Sequence, residues 1–420
     1  MRVAGYFVAV VVFAAGLLGC VNPNTSEVVT ELRQGGWRME LDIHGRPLPF
    51  LFDLDQDSAG WTMVVKNGEE RFVVNDIVRS GDTLRIRMPL YDSEFRGMVV
   101  NDSTIRGHWY NYLKGPEYHI PFVARAGRTQ RFEKNLAPGG VVSGNWEVHF
   151  SGGTPDAYDA IGIFSQHGSR TTGTFGTETG DYRFLDGVVS GDSLFLSGFD
   201  GSHAFLFAAR VSGDSMSGRY WSGIHWEEPW VAVRNPAFTL RNQDSLTALR
   251  EGYDMVDFSF PGIDGGIISM KDPRYHDRVV MVQIMGSWCP NCVDETLLLD
   301  EMYSKFHDRG LEVIALAFEK YEDPERALEQ LRRFRDRLHV KYQIAYAGQA
   351  NKDAATSRLP FLEHLMSYPT CIFIDRAGKV RRIRTGFYGP GTGSHYENYK
   401  RNLEVFLGNL LDQAAPVVGA

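Results

Sequence analysis

Apolar and polar residues alternate in short segments throughout the first half of the chain. Between about 30 and 245, such segments are separated by Gly, Asp and Asn, as at 37–43, 83–88 and 204–209. Alternation with a period of two is typical of β-strands that bury one face, and the turn residues mark where strands end. Because no segment of helical period interrupts this spacing, the pattern predicts an all-β sandwich or barrel.

This β region also contains an internal duplication. Three pairs of similar segments follow each other in the same order: 36–40 with 144–148, 80–84 with 190–194, and 101–109 with 212–221. The offset within each pair is nearly constant, at about 110 residues. We therefore predict two repeats, 30–135 and 136–242, each with room for roughly eight strands at a spacing of about 8–12 residues.

The pattern changes near residue 240 to strands that alternate with helices. Apolar runs predict core strands at 279–285, 311–318, 342–346, 370–374 and 380–385. Helices are predicted at 293–306, 327–338 and 396–411, a leading hairpin at 257–262 and 266–270, and a helical connector at 243–250. This alternation indicates an α/β domain, which we place at 243–420.

Composition and charge agree with a globular protein of several domains. The 420 residues are 43 % hydrophobic and 23 % charged, and this length suffices for two or three domains. The formal net charge is -8, so the composition gives no indication of binding to nucleic acid.

The N-terminus has the pattern of a secretory signal. Arg2 precedes an apolar run at 3–19, and Cys20 follows that run directly. The arrangement resembles the lipobox of bacterial lipoproteins, which implies cleavage of residues 1–19, lipid on the sulfur of Cys20 and a tether at 20–29. The alternative is an uncleaved anchor, although the run is shorter than the roughly 20 residues that span a membrane. Both interpretations place the rest of the chain outside the cytoplasm, where disulfides persist.

The segment Trp288-Cys289-Pro290-Asn291-Cys292 carries the clearest chemistry in the chain. Two cysteines separated by two residues can form a disulfide or open to a dithiol, and this pair lies between an apolar strand and a predicted helix. A Cys-x-x-Cys in that position is typical of a thioredoxin-like redox site. A helix N-terminus stabilises a thiolate, and Pro290 suits the first helical position because its missing N–H would have no intrahelical partner.

The four cysteines allow other assignments. A zinc site needs two further Cys or His ligands at suitable spacing, and only Cys371 is left, so we expect no metal. A purely structural disulfide between Cys289 and Cys292 would close a very short ring and gain little loop entropy. Cys371 lies in an apolar strand and is expected to be a buried core thiol, the alternative being a third redox thiol near the site.

The segment 286–292 resembles the active site of the TlpA/ResA-like thiol-disulfide oxidoreductases, which belong to the thioredoxin superfamily. The leading hairpin and the extra strand-helix unit after the active-site helix are also similar to theirs. Tyr368-Pro369-Thr370 stands where that superfamily has a cis-proline facing the disulfide. The resemblance covers about 250–415 and does not include the β region.

This resemblance implies a role for each residue of the motif. Cys289 would attack a substrate, Cys292 would resolve the mixed disulfide, and Trp288 would shield the pair. Pro290, with its neighbour, would tune the redox potential. Pro369 would bring backbone groups against the cysteines, where an extended substrate segment can pair. No cofactor is expected beyond the redox-active disulfide.

The sequence departs from the superfamily at two positions. The buried acid six residues before the first cysteine is Gln283 here, and an amide cannot accept a proton from Cys292. Glu319, at the end of the second core strand, falls near the position of a functional glutamate in ResA-like proteins and is our candidate base; the alternative is an ordinary strand-end charge. Leu297 replaces the proline that usually kinks the active-site helix.

Together, these features predict a lipid-anchored, extracytoplasmic thiol-disulfide oxidoreductase of the cell envelope that reduces protein disulfides. Its expected partners are protein thiols or disulfides, an upstream membrane dithiol donor, and the membrane through lipid on Cys20. The alternative is a β module that binds a partner or ligand, with a dedicated redox domain. A peroxiredoxin is disfavoured because that family has threonine three residues before the reactive cysteine, whereas Gly286 precedes Cys289 and Tyr368 precedes Cys371 at that distance.

Overall fold

The computed structural model describes residues 31–133 and 135–414 of the chain. The predicted signal 1–19, Cys20 and the predicted tether 20–29 lie outside the described residues. Within the described ranges, no helix has both the length and the apolar character that crossing a membrane requires.

The first half of the chain forms two antiparallel sheets of nine strands each. The strands of the first sheet are β1 (Gly35–Ile43), β2 (Arg46–Asp57), β3 (Gly60–Asn67), β4 (Glu70–Val74), β5 (Asp76–Ser80), β6 (Thr83–Arg87), β7 (Ser93–Asn101), β8 (Thr104–Asn111) and β9 (His119–Ala126). Those of the second are β10 (Gly144–Phe150), β11 (Tyr158–His167), β12 (Arg170–Thr177), β13 (Gly180–Asp181), β14 (Leu185–Ser190), β15 (Ser193–Phe199), β16 (Ala204–Ser212), β17 (Ser215–Ser222) and β18 (Trp226–Arg234). Each sheet therefore has one strand more than the eight expected.

The sequence duplication is also a structural one. The strand order of the first sheet is β4-β3-β2-β1-β9-β8-β7-β6-β5. When β10 is matched to β1, β11 to β2 and so on, each pair of neighbouring strands in the first sheet has an equivalent pair in the second. Equivalent tryptophans fix the first strand of each sheet, because the indole N–H groups of Trp37 and Trp146 each donate a 2.8 Å hydrogen bond to the carbonyl four residues earlier. The two copies thus share both topology and local anchoring.

The two sheets differ in closure. In the second sheet β11 pairs with both β10 and β12, and β12 also pairs with β14, so the sheet closes into a barrel. In the first sheet, as far as the described residues show, no ladder joins β3 to β5, and the sheet stays open. Buried aromatic side chains such as Trp37 and Phe50 in one sheet and Phe175 and Trp230 in the other fill the interiors. The predicted all-β region is therefore confirmed.

The second half is an α/β domain, as predicted. A hairpin of β19 (Ser259–Pro261) and β20 (Ile267–Ser269) precedes a five-stranded sheet in the order β23-β22-β21-β24-β25. The strands of that sheet are β21 (Val279–Met285), β22 (Leu311–Glu319), β23 (Gln343–Gln349), β24 (Thr370–Ile374) and β25 (Val380–Thr385). The helices are α1 (Pro290–Phe306), α2 (Pro324–Leu338), α3 (Lys352–Arg358) and α4 (Ser394–Leu411).

Strand β21 lies at the centre of this domain. It runs parallel to β22 and antiparallel to β24, and each of its side chains is buried. Met281 and Met285 belong to the cluster that includes α1 and α4, whereas Val282 and Ile284 pack with the segment that follows α3. Since apolar residues occupy both faces, this strand is covered on both sides and fixes the position of the loop that follows it.

The prediction of a helical connector at 243–250 is wrong. Only a single 3-10 turn forms there, at Gln243–Ser245. Beyond it, the carbonyl of Ala248 accepts from Glu363 N, and Arg250 N donates to the carbonyl of Phe361. The backbone groups that a helix would need are therefore paired with a distant segment.

The α/β domain also packs on the first sheet through helix α2. Gln330 Nε2 donates to the carbonyl of Leu90 at 2.7 Å, and Arg333 donates to the carbonyl of Met88 at 2.6 Å. Arg326 forms an ion pair with Asp92 at 2.6 Å. Hydrogen bonds to backbone carbonyls, together with this ion pair, hold α2 against the loop between β6 and β7.

Candidate active site

A tight loop joins strand β21 to helix α1 and carries the two cysteines. Gly286 begins this loop, and a Cβ atom at that position would lie 2.2 Å from the indole nitrogen of Trp288. This close approach lets Trp288 Nε1 donate a 2.9 Å hydrogen bond to the carbonyl of Phe318 on β22. Glycine at 286 is therefore required for the indole to close over the loop.

Cys289 is the N-cap residue of α1, Pro290 is its first residue, and Cys292 lies one turn inside. The backbone N–H of Cys292 donates to Cys289 Sγ at 3.3 Å, so a free N–H of the helix terminus points at the first sulfur. Cys289 is 7 % exposed and Cys292 is 0 % exposed, and both are free thiols. Burial, followed by the neighbouring sulfur, raises the pKa of Cys292 well above its usual value. Of the two, only Cys289 reaches solvent.

The loop before β24 faces these sulfurs. The Tyr368–Pro369 peptide bond is cis, and the carbonyl of Tyr368 lies 3.7 Å from Cys289 Sγ. The Tyr368 ring packs edge-on against the indole of Trp288, with 5.5 Å between the ring centroids. The structure thus brings Trp288, both cysteines and Pro369 together at one edge of the sheet.

A buried acid behind the second cysteine was missed by the sequence reasoning. Glu295 lies on the turn of α1 after Cys292 and is 1 % exposed. Gln283 Nε2 donates to Glu295 Oε2 at 2.9 Å and to the carbonyl of Cys292 at 3.4 Å. Burial raises the pKa of Glu295 to about 7, so a carboxyl that exchanges its proton near neutral pH is present although residue 283 is an amide. The available signal was helical spacing, which places Glu295 on the same face as Cys292 and Leu299.

Glu319, the predicted base, is buried at the end of β22 and supports the active-site loop. Its carboxylate accepts hydrogen bonds from the backbone N–H and the hydroxyl of Ser287, each at 2.8 Å. Burial raises its pKa to about 7. Among the described residues its hydrogen bonds go to Ser287 and not to Cys289 or Cys292, so the structure places Glu319 in contact with the loop rather than with the sulfurs.

Arg183 reaches the redox motif from the barrel that the second sheet forms. Its guanidinium donates to the carbonyl of Pro290 at 2.9 Å and forms ion pairs with Asp294 at 2.7 Å and Glu70 at 2.6 Å. Glu70 belongs to the first sheet and Asp294 to helix α1, so one arginine, whose side chain is 12 % exposed, links three parts of the chain. Burial raises the pKa of Asp294 to about 7, although the charge of Arg183 opposes that change. Sequence gave no signal for this contact, since the partners are far apart along the chain.

A cleft of about 690 Å³ opens beside the first cysteine. The barrel lines this cleft with residues that include Tyr158, Glu178, Tyr182, His203 and Phe205. The α/β domain lines it with Trp288, Cys289, Met366 and Tyr368. At Gly180, which begins β13 directly after a tight turn, a Cβ atom would lie 2.1 Å from Asn291 Nδ2. The barrel therefore touches the segment between the two cysteines and shapes the access to Cys289.

Two further residues singled out in the sequence lie away from this cleft. Cys371 is 0 % exposed and pairs with Gln283 across the β21–β24 ladder, and burial raises its pKa well above the usual value. It lies in the core and does not line the cleft. Leu297 is 47 % exposed on the outside of α1, which continues unbroken through that position.

The α/β domain is similar to parts of several known proteins. Residues 252–383 match the model of the AhpC/TSA family. The chain is 26 % identical over 139 residues to the thioredoxin-like protein YneN of Bacillus subtilis (strain 168), a match that covers 33 % of this chain and 73 % of YneN. It is 25 % identical over 137 residues to the thiol-disulfide oxidoreductase ResA of Halalkalibacterium halodurans, covering 33 % of this chain and 69 % of ResA.

Among solved structures, a thiol:disulfide interchange protein of the thioredoxin family from Chlorobium tepidum TLS is 17 % identical, with a TM-score of 0.29. That match covers 39 % of this chain and 99 % of the other. The family match at 252–383 lies within the α/β domain and includes neither of the two nine-stranded sheets.

Proposed function

We propose that this chain is an oxidoreductase that reduces protein disulfides, because its α/β domain resembles the TlpA/ResA-like proteins of the thioredoxin superfamily. The observation that carries the proposal is the geometry of the two cysteines. Cys289 Sγ receives the N–H of Cys292 at the start of α1 and faces the carbonyl of Tyr368. One sulfur is thereby presented to a substrate, and the second is held behind it for the resolving step.

The reaction has two steps that consume the dithiol. The thiolate of Cys289 attacks one sulfur of the substrate disulfide, a bond forms between the two sulfurs, and the other substrate sulfur leaves and takes up a proton. Cys292 then loses its proton and attacks the sulfur of Cys289, which releases the second substrate thiol and leaves a Cys289–Cys292 disulfide. Two electrons pass to the substrate. An external dithiol then reduces the Cys289–Cys292 disulfide with two further electrons before the next turnover.

The proton of Cys292 must be accepted in the second step, and two buried carboxyl groups are candidates. We assign this role to Glu295, because its charge acts on Cys292 and its pKa of about 7 suits exchange at neutral pH. Glu319 is then a positioning residue for Ser287. The test is the pH dependence of mixed-disulfide resolution: Glu295→Gln should change the shape of the profile, whereas Glu319→Gln should lower the rate equally at each pH. The reverse result would make Glu319 the base.

The proposed location is the outer side of a membrane, in the cell envelope. Support comes from the apolar run that ends at Cys20, which resembles a lipobox, and from a dithiol site suited to an oxidising compartment. A lipid on Cys20 would hold the protein at the membrane, and a membrane dithiol carrier would supply electrons. Globomycin-sensitive processing with radiolabelled palmitate tests this part, and unlabelled protein that keeps residues 1–19 would contradict it.

A second role is proposed for the β region, namely selecting the protein that the dithiol serves. It rests on the cleft, whose barrel wall lies directly beside Cys289. A free thioredoxin-like domain would present this face to any unfolded substrate, whereas here the turn at Gly180 covers part of it. We therefore expect substrates to reach Cys289 as a narrow, extended segment.

The central experiment measures reduction of insulin by the full chain with dithiothreitol as the electron source. Cys289→Ser should abolish catalysis, Cys292→Ser should trap a mixed disulfide detectable by mass spectrometry, and Cys371→Ala should retain the rate. Equal rates for wild type and Cys289→Ser would overturn the proposal. Because the AhpC/TSA match raises peroxide as a competing substrate, the same preparation is assayed with hydrogen peroxide. Faster turnover with peroxide than with disulfides would also overturn it.

A further inference from the structure

A second cavity, of about 500 Å³, adjoins the cleft and shares Trp288 with it. It forms where the three parts of the chain meet. Lys114 and Tyr118 come from the first sheet, His203 and His225 from the barrel, and Trp288 and Lys320 from the α/β domain. No aspartate or glutamate is among the residues that line it, whereas two lysines and two histidines are.

The two lysines of this cavity have no acidic partner in the described part of the chain. Lys114 Nζ donates to His225 Nε2 at 2.9 Å and lies 5.5 Å from the centroid of the Tyr118 ring. Lys320 Nζ lies 4.1 Å from the centroid of the Trp288 ring, with its side chain exposed to solvent. Both ammonium groups therefore rest on aromatic rings and an imidazole.

The neighbouring carboxylates are engaged elsewhere. Asp200 accepts from the backbone N–H groups of Ser202 and His203 and lies 3.3 Å from the imidazole of His203. Glu319 is turned inward to Ser287. Asp200 still acts on Lys114 through space, and Cys289 and Glu319 act on Lys320. Within the described ranges, however, no carboxylate forms an ion pair with either ammonium group, so their positive charge is only partly balanced.

The titration behaviour of the cavity agrees with this imbalance. Burial lowers the pKa of Lys114 to about 8, and the charge of Lys320 acts in the same direction. Burial and the charge of Lys114 lower the pKa of His225 to about 4, so its ring is neutral at pH 7 and accepts from Lys114. A bound anion would relieve the repulsion between the two lysines and would gain charge-assisted hydrogen bonds.

The cavity adjoins the dithiol through shared walls. His203, Phe205 and Trp288 line both this cavity and the cleft that contains Cys289. Trp288 is also the residue directly before Cys289, and Ser202 Oγ donates to its carbonyl at 3.4 Å. A substrate segment that places a sulfur at Cys289 can therefore extend past Trp288 toward the lysines.

We propose that this cavity binds a carboxylate of the redox substrate, so that the protein selects extended segments with an acidic side chain near the reactive cysteine. The inference rests on the proposed function, because it assigns a specificity site to the same reaction. Lys114 and Lys320 are the residues that recognise the anion, and Trp288 lines both their cavity and the cleft that contains Cys289.

The experiment compares blocked peptides that are disulfide dimers and carry Asp, Asn or Lys at one to four residues from the cysteine. The Cys292→Ser variant of the full chain is reduced, and the rate of mixed-disulfide formation at Cys289 is measured for each peptide. At one or more spacings, the Asp peptide should react about tenfold faster than the Asn peptide, the size expected for one charge-assisted hydrogen bond. The Lys peptide should react more slowly than both.

Matched variants separate substrate recognition from an effect on the cysteine. Lys114→Met with Lys320→Met should bring the Asp-to-Asn ratio close to one, because both peptides then meet a cavity without cations. Lys271→Met with Lys341→Met removes the same charge from exposed surface positions and should keep the ratio. Raising the salt concentration should lower the ratio while both lysines are present, so this arm does not depend on the folding of a lysine variant.

Several results would overturn the inference. A ratio near one at each spacing in the wild type would do so, as would a ratio that the lysine variants leave unchanged. An equal loss for the three peptides would show that the lysines act on Cys289 and not on the substrate. If no peptide reacts, the proposed function fails, and calorimetric binding of the cysteine-free Asp peptide to Cys289→Ser/Cys292→Ser then decides about the anion site alone. Absence of that binding would refute the site.

Discussion

Replacing Arg183 with methionine should lower the free energy of unfolding, although the residue lies in a connection between two strands of the barrel. The substitution keeps most of the side-chain volume and removes the charge that Glu70 and Asp294 share. The side chains of these two acids are only 12 % and 8 % exposed. Two carboxyl groups would therefore stay buried without their cation, and the carbonyl of Pro290 would lose a donor.

The magnitude follows from the burial of this pair. Breaking a buried ion pair by removing one partner costs about 3–5 kcal/mol, because the remaining charge is left uncompensated. The cost should depend on pH. Burial already raises the pKa of Asp294 from 3.8 to about 7, so stability falls as pH rises between these values, where the folded state holds a proton that the unfolded state has lost. Above about pH 7 the wild type levels off, because Asp294 is then ionised in both states.

In the Arg183→Met variant the pKa of Asp294 rises further, since the opposing charge is gone. The variant therefore continues to lose stability above pH 7, by up to about 1.4 kcal/mol for each pH unit until its own higher pKa is reached. Urea unfolding followed by tryptophan fluorescence at pH 6 and pH 8 measures both effects. Adding Asp294→Asn should recover part of the loss at pH 8.

The matched control is Arg210→Met, which removes an arginine from the same barrel. Arg210 pairs with Asp192 at 3.0 Å, but their side chains are 79 % and 54 % exposed, so the loss should stay below about 1 kcal/mol. Similar losses for the two variants, or a loss for Arg183→Met that is the same at pH 6 and pH 8, would refute the reasoning.

Three further predictions concern the surroundings of the cysteines. Glu295→Gln should raise the free energy of unfolding above pH 7 by up to ~3 kcal/mol and leave it unchanged below pH 4. The reason is that burial raises the pKa of the carboxyl from 4.5 to about 7, so the wild type loses stability between these values. Urea titrations across this pH range measure the difference. Gly180→Ala should alter the alkylation rate of Cys289, since the added Cβ would press on Asn291, whereas Gly213→Ala, also at positive φ but with open space, should not. Cys371→Ala should cost about 1–2 kcal/mol of stability and leave insulin reduction intact; a lost activity would make it a redox thiol.

The parts of the fold that the sequence predicts well are those fixed by local patterns. Strand β21 is an unbroken apolar run, and the motif from Trp288 to Cys292 carries its own helix start in Pro290. The connector at 243–250 was mispredicted, because its polar composition resembles a surface helix while its backbone pairs with residues 361–363. Helical period also places Glu295 on the same face as Cys292. Because residue 283 is an amide, however, the sequence predicts Glu319 as the base.

What the sequence could not provide are contacts made between separate parts of the chain. Glu70, Arg183 and Asp294 come from the first sheet, the barrel and helix α1, and no spacing rule connects them. The second sheet closes because β12 pairs with β14, whereas the described residues show no ladder between the equivalent strands β3 and β5 of the first sheet. The similar segments of the two repeats do not reveal this difference. Such contacts become visible only when the tertiary structure is known.

These contacts change how the dithiol should be understood. Arg183 donates to the carbonyl of Pro290, the turn at Gly180 touches Asn291, and Ser202 donates to the carbonyl of Trp288. Three residues of the barrel thus contact three residues of the motif, so a shift of the barrel should change the surroundings of Cys289. A thioredoxin-like domain that acted on any exposed disulfide would gain nothing from having its docking face covered in this way. The arrangement supports the proposed division of roles, in which the α/β domain supplies the chemistry and the β region selects the substrate.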